Sequence, residues 1–291
     1  MKLLKQAKDI FMQISFYLTI VSLTSFVILV LKLFIFTSFK VPSISMSPTI
    51  IQGDYVFVNK QIPGYRIVNQ RISTKKHNIE YKRYKGIKEI CRNDILVFNY
   101  PYTDGNYITL NTSMNIIKRC VAIPGDTFYI EKGIYRVKGK SDTLGYYKNQ
   151  ENYYKNIVNK GYTPSNNASV FCKMNNWSID NLGPIYIPKN GDTLLVSTKS
   201  VSPYINMITY ETGEELTISN DTVYLNKKNI KYYVFKKNYY FVTGDYPYNS
   251  YDSRYWGLLP EDHIIGKAEF IWKSKDDENG QIRWNRIGRI L

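Results

Sequence analysis

The sequence predicts a mostly β protein: a single N-terminal transmembrane helix, then a β-rich domain with a second β lobe inserted into it. Three observations carry this. Ile14 to Leu31 contains no charged residue. The chain beyond it alternates short β-like runs with turn signals, as in Y-R-V-K-G-K, N-G-D-T-L-L-V-S, L-T-I-S-N and D-T-V-Y-L-N. At 291 residues and 44% apolar content, the chain is long enough for one large or two modest domains with a real core.

The N-terminal element comes first. Lys2, Lys5 and Lys8 stand against the single acid Asp9, and an uncharged apolar run follows that Leu33 to Phe36 extends past Lys32. Eighteen residues at helical rise just span a hydrocarbon core. A cleaved signal peptide is the competing reading. It is disfavoured because the run is longer than a signal core, no small-x-small site follows it, and Lys32 can reach the far interface by its flexible stem. Lysines before the span place the N-terminus in the cytoplasm and everything after Phe36 outside.

Val41 to Thr49, V-P-S-I-S-M-S-P-T, follows directly. Pro42 and Pro48 each remove a donor and fix φ, so a rigid extended turn presenting hydroxyls is expected, and not a helix. A serine nucleophile here needs a base. His77 and His263 have no Ser-His-Asp context, which leaves a lysine made neutral by burial. Bringing an amine from about 10.4 to near 8 takes ~3 kcal/mol of desolvation, so the lysine must lie in an apolar stretch. Lys118 does, in M-N-I-I-K-R-C-V-A-I-P-G-D, a strand-like run from Met114 to Asp126. A lysine lying over an edge strand with its head in water is the alternative for that residue.

Charge and cysteines narrow the partners. Thirty-nine basic against 24 acidic side chains give +15, which suits nucleic acid or an anionic membrane surface. No helix-turn-helix, zinc-finger or RNA-binding signature accompanies the charge, and the lysines are scattered among 27 tyrosines. No nucleic-acid partner is expected; solvated surface and headgroup attraction account for the charge. Cys91, Cys120 and Cys172 are odd in number and widely spaced, so neither a disulfide framework nor a zinc site is implied, though one bridge stays open. Neither histidine has a Cys or His at ligand spacing. Both read as surface or capping residues, and no metal or cofactor is expected.

Four stretches taken together resemble the bacterial type I signal peptidases, the membrane-bound Ser-Lys peptidase family. They are V-P-S-I-S-M-S-P-T with the following G-D-Y-V-F-V-N-K at Gly53 to Lys60, R-N-D-I-L-V-F-N-Y-P at Arg92 to Pro101, I-I-K-R-C-V-A-I-P-G-D, and G-D-Y-P-Y-N-S-Y-D-S-R-Y-W-G-L-L-P at Gly244 to Pro260. They stand in the family's order behind a membrane anchor. The resemblance implies Ser45 as nucleophile and Lys118 as general base. It implies an oxyanion hole from the Ser43 hydroxyl and the Ser45 N–H, Ser250 orienting the lysine, and Asp252 with Arg254 supporting the loop. It implies removal of signal peptides from exported preproteins after small residues, without a cofactor, by a single-pass enzyme of the bacterial inner membrane. Expected partners are those preproteins, membrane lipids and the secretion translocon. The family loop usually reads G-D-N-R-D-N-S. Tyr246, Pro247 and Tyr248 replace its polar middle here, so altered loop packing or substrate contacts are expected with the chemistry retained.

The expected divisions are a cytoplasmic N-terminus (1–9), the anchor (10–36), the catalytic β domain (37–130), the inserted lobe (131–238) and the closing part of the catalytic domain (239–291). Gln61 to Ile90, with Lys75, Lys76, Lys82, Arg83, Lys85 and Lys88, reads as a solvated loop or hairpin, with a headgroup-binding arm as its alternative. Tyr146 to Thr163 reads as a polar loop. Trp256, Phe270 and Trp272 suit either a lipid-facing belt or the core. The tail is expected as a final strand or short helix on the surface. Two rival functions remain: a self-cleaving Ser-Lys peptidase like the SOS-response repressors, which lack a membrane span, and an anchored β-rich binding or assembly protein whose serines are only turn residues.

Overall fold

The computed structural model describes residues 2–69, 80–102, 107–110, 112–159, 169–171 and 177–291. The apolar run is one helix, Lys2–Phe34, and none of its membrane-length stretch Ile10–Phe34 is buried against the rest of the chain. At 1.5 Å per residue those 25 residues are long enough to cross a ~30 Å hydrocarbon core. Thr19 and Thr24 donate to the carbonyls of Ser15 and Ile20 one turn back, so both hydroxyls are satisfied without water. Lys60 closes the C-terminal end, donating from Nζ to the carbonyls of Lys32 (2.8 Å) and Leu33 (3.2 Å), where the helix dipole favours a cation.

The chain then enters a seven-stranded antiparallel sheet. Its spatial order is Phe36–Lys40, Asp54–Asn59, Ile264–Ser274, Ile95–Asn99, Asn115–Ala122, Tyr239–Thr243 and Leu259–Pro260. The long strand Ile264–Ser274 arrives last in sequence and inserts at the third position, so the chain's final part closes the sheet that its first part opens. Asn115–Ala122 lies inside the sheet, which removes the edge-strand reading of Lys118. Met46, Ile50, Val56, Val58, Val97, Ile117 and Ile271 form one apolar cluster. A larger one runs from Leu96, Phe98 and Val121 through Phe128, Ile130 and Tyr233 to Phe241 and Leu258, so the 131–238 segment packs on the sheet through a continuous core.

That segment holds the expected strands, including Ile134–Val137, Thr193–Leu195, Leu216–Ser219 and Thr222–Leu225. It also holds helices that were not expected. Tyr147–Asn159 is helical where a polar loop was predicted, and Ile205–Thr212 forms a second helix ending on Gly213 at φ 70°. A 13-residue polar helix draws its stability from tertiary contacts, which local composition does not reveal.

Of the remaining expectations, the one for His263 is corrected. His263 is fully buried, its Nδ1 2.9 Å from Asp262 Oδ1 and its Nε2 3.0 Å from the Thr109 carbonyl. It lies in the short helical turn Glu261–His263, which leads directly into the last strand. His77 and Cys172, with Lys75 and Lys76, lie outside the described residues; Cys91 is exposed and Cys120 buried, both as free thiols. The described part of the 61–90 stretch is a hairpin, Arg66–Asn69 with Glu80–Arg83. Trp256 is a core residue, whereas Phe270 stacks on Phe57 at 4.8 Å and Trp272 is exposed, donating to Ser38. The tail forms a short 3-10 helix, Trp284–Arg286, and bridges Phe270 through Ile290.

Candidate active site

The turn after the first strand is pinned from below. Val41 N donates to Asp54 O and Gly53 N to Val41 O, closing the turn at its neck, while Met46 and Ile50 sink fully into the core. Gly53 has φ +88°, and a Cβ there would meet the Lys275 carbonyl at 2.0 Å. Arg286 reaches in from the tail, pairing with buried Asp54 (Nη2 to Oδ2, 2.6 Å) and donating to Thr49 O. With Met46 held inward, Ser45 is carried to the sheet surface beside the lysine strand.

Strand register brings the last segment to the same point. Thr243 pairs with Arg119 and Val242 with Cys120, so the chain leaves this strand at Gly244, level with Lys118. No side chain fits at 244: a Cβ would stand 2.2 Å from Ser250 Oγ and 2.5 Å from the Ser45 carbonyl. Tyr246 N then donates to that carbonyl at 3.0 Å.

Lys118 Nζ lies 2.6 Å from Ser45 Oγ. The lysine is 4% and the serine 6% exposed. Burial pushes the amine down to about 8; Asp252 and Asp245 pull it back up and Arg254 pushes it further down. An amine at about 8 beside a hydroxyl has the chemistry to take that hydroxyl's proton. The exposed Ser43 places its Oγ 3.4 Å from Ser45 Oγ, and among the described residues the Ser45 N–H has no protein acceptor.

Ser250 donates to Asp252 Oδ2 at 2.7 Å, and Gly244 N donates to the same oxygen at 3.0 Å. The Ser250 proton is thus committed to the carboxylate, and its oxygen keeps acceptor capacity. Arg254 grips Asp252 with two nitrogens, Nε to Oδ1 at 2.8 Å and Nη2 to Oδ2 at 2.9 Å. Burial opposes ionisation of Asp252, but the Arg254 charge and the hydrogen bonds from Arg254, Ser250 and Gly244 outweigh it and hold the carboxyl below its ordinary value. The same pairing holds Arg254 well above its own. Ser45, Lys118, Ser43, Ser250, Asp252 and Arg254 thus converge on one place. A cavity of about 420 Å³ opens beside it, lined chiefly by apolar and aromatic groups including Phe39, Val97, Tyr100, Met114, Ile117 and Tyr251.

The sequence reading missed a second ion pair. Arg119 and Asp245 meet in a two-pronged bridge (2.7 and 2.6 Å), and Thr49 donates to the same carboxylate. One carboxylate thereby ties the nucleophile turn, the lysine strand and the closing loop together. The signal was present as the residues directly following Lys118 and Gly244, but only pairing across the sheet makes them partners. Asn149, from the unexpected helix, also reaches this point and donates to the carbonyls of Ser47 and Asp245.

The family model described as signal peptidase, peptidase S26, matches residues 13–273. Signal peptidase I of Buchnera aphidicola subsp. Baizongia pistaciae is 30% identical over 91% of this chain and 79% of its own length. That of Buchnera aphidicola subsp. Acyrthosiphon pisum is 32% identical over 90% and 77%. That of Pseudomonas aeruginosa PAO1 is 29% identical over 91% and 75%. With a match across most of its length, the chain belongs to the signal peptidase family of serine peptidases, peptidase S26.

Proposed function

We propose that Ser45 and Lys118 are the catalytic dyad with which this serine endopeptidase cuts signal peptides from exported preproteins. The 2.6 Å approach of a buried amine to a buried hydroxyl is the observation that carries the reading. Neutral Lys118 takes the Ser45 proton as Oγ attacks the scissile carbonyl. The tetrahedral oxyanion is met by the Ser45 N–H and the Ser43 hydroxyl, preorganised donors of a kind worth ~3 kcal/mol each. The lysine passes its proton to the leaving amine, then activates the water that hydrolyses the acyl-enzyme. Ser250, its own proton held on Asp252, keeps an acceptor oxygen with which to orient the amine when Lys118 Nζ turns from Ser45 Oγ. Asp252 with Arg254 fixes the loop from which Ser250 acts.

The substrate lies extended along the sheet and pairs by backbone hydrogen bonds. Its small residues, at the scissile bond and two before, face the apolar cavity beside Ser45, where bulk is excluded. The helix Ile10–Phe34 spans the bacterial inner membrane with the N-terminus cytoplasmic and the β domain outside. Phe36, Phe57 and Phe270 stack in a row from the helix's end, a surface suited to lipid beside the site, and the secretion translocon delivers the substrate there.

Cleavage of a preprotein by purified full-length protein tests the dyad. Wild type is expected to be active, and Ser45→Ala and Lys118→Met to fall to background while remaining folded. Retained turnover in either variant removes the dyad assignment.

A further inference from the structure

The helix Tyr147–Asn159 lies between the strands Ile134–Val137 and Leu182–Tyr186. Asn149, Tyr153 and Asn156 follow one another at steps of four and three, which places them on one helical face. That face meets the unusual tyrosines of the closing loop. The Tyr153 ring stands edge-on to Tyr248 at 5.0 Å, and the Asn156 carboxamide donates to the Tyr248 hydroxyl. On another side Gln150, 1% exposed, accepts from Tyr135 N at 3.0 Å and donates to Leu144 O at 2.6 Å. The helix is therefore braced on the lobe's sheet while its other face holds the loop.

Asn149 sits where this brace reaches the site. Its Nδ2 donates to the Asp245 carbonyl at 2.7 Å and to the Ser47 carbonyl at 3.1 Å. A carboxamide nitrogen carries two hydrogens, so one group can serve two carbonyls from segments far apart in sequence. Ser47 lies two residues past Ser45. Asp245 lies between Gly244, which abuts the Ser45 carbonyl, and Tyr246, whose N–H donates to that same carbonyl. The Asn149 bonds therefore close a ring of contacts around the backbone of Ser45.

We propose that Asn149 is a positioning residue for the reaction, tying the turn that carries Ser45 to the loop that carries Ser250 and so fixing the approach of Ser45 to Lys118. The inference rests on the dyad reading. It also gives the Tyr246-Pro247-Tyr248 departure a purpose, because aromatic side chains there give the inserted helix a surface to dock on.

The test is steady-state cleavage of a preprotein by the full-length protein in phospholipid vesicles. Asn149→Asp keeps the side chain's size and replaces both donors with acceptors. Its kcat is expected to fall ~10²-fold, the effect of misplacing a reacting group by about an ångström. KM should stay within about threefold, since ground-state binding is untouched. Asn149→Gln, which keeps two donors on one nitrogen, is expected to recover about tenfold of that loss. Lys155→Gln, on the exposed side of the helix, is expected to behave as wild type. Rates are normalised to the folded fraction, so a loss that vanishes on normalisation overturns the positioning role. So does an Asn149→Asp kcat equal to wild type while Ser45→Ala and Lys118→Met are inactive. Turnover surviving in Ser45→Ala or Lys118→Met brings down the dyad reading instead, and this inference with it.

Discussion

Lys118 shows how much chemistry one buried amine can hold. In water it would be almost wholly protonated at neutral pH and useless as a base. Burial brings it down to about 8, so roughly a tenth is neutral at pH 7 and most of it by pH 9. The base form grows as pH rises, so kcat/KM should climb about tenfold from pH 7 and level off above pH 9. A profile flat between pH 6 and 9 would exclude Lys118 as the base. That Ser45 and Lys118 belong together was legible in the sequence because each chemical demand leaves a local mark, and the structure brings the two within 2.6 Å. A hydroxyl between two prolines and a lysine amid isoleucines are both odd enough to notice. His263 left no such mark, because its burial is decided by Asp262 and the Thr109 carbonyl.

The site is an agreement among elements. The nucleophile turn, the lysine strand and the closing loop each bring a part, and Asp245 binds all three through Thr49 and Arg119. Asp245 is 1% exposed, so Asp245→Ala would leave the Arg119 guanidinium without its carboxylate. Breaking one side of such a pair costs ~3–5 kcal/mol, which should appear as a matching drop in urea unfolding free energy, with activity lost alongside. An unfolding midpoint within error of wild type would show that the pair is not what joins these elements. The helix Tyr147–Asn159 belongs to the same scale. Its polar composition suggested a loop, and what makes it a helix is contact with Tyr135, Leu144 and Tyr248, all distant or non-periodic in sequence.

For the whole molecule, the anchor and the sheet are nearly separable. No part of the membrane-length stretch Ile10–Phe34 is buried against the domain, and the joint consists of contacts at its end, Lys60 on the last carbonyls and Phe34 against Tyr65. A chain lacking residues 2–31 should therefore keep its fold and cleave a soluble peptide within about threefold of the full-length rate, because no core apolar group is lost. The full-length chain should resist alkaline carbonate extraction from membranes, and the shortened chain should not resist it as well. A shortened chain that unfolds would mean that the anchor helps build the domain. By itself the sequence determined the apolar N-terminal helix, the β class, the order of the boxes and the residues proposed as the dyad, because these depend on hydropathy, turn chemistry and spacing along the chain. Only the tertiary structure decided that the last long strand inserts at the third position of the sheet, that Lys118 is interior, that Arg119 finds Asp245, and that an inserted helix reaches the site. Those outcomes rest on pairing between segments far apart in the chain, where the energy lies in contacts that no local pattern encodes.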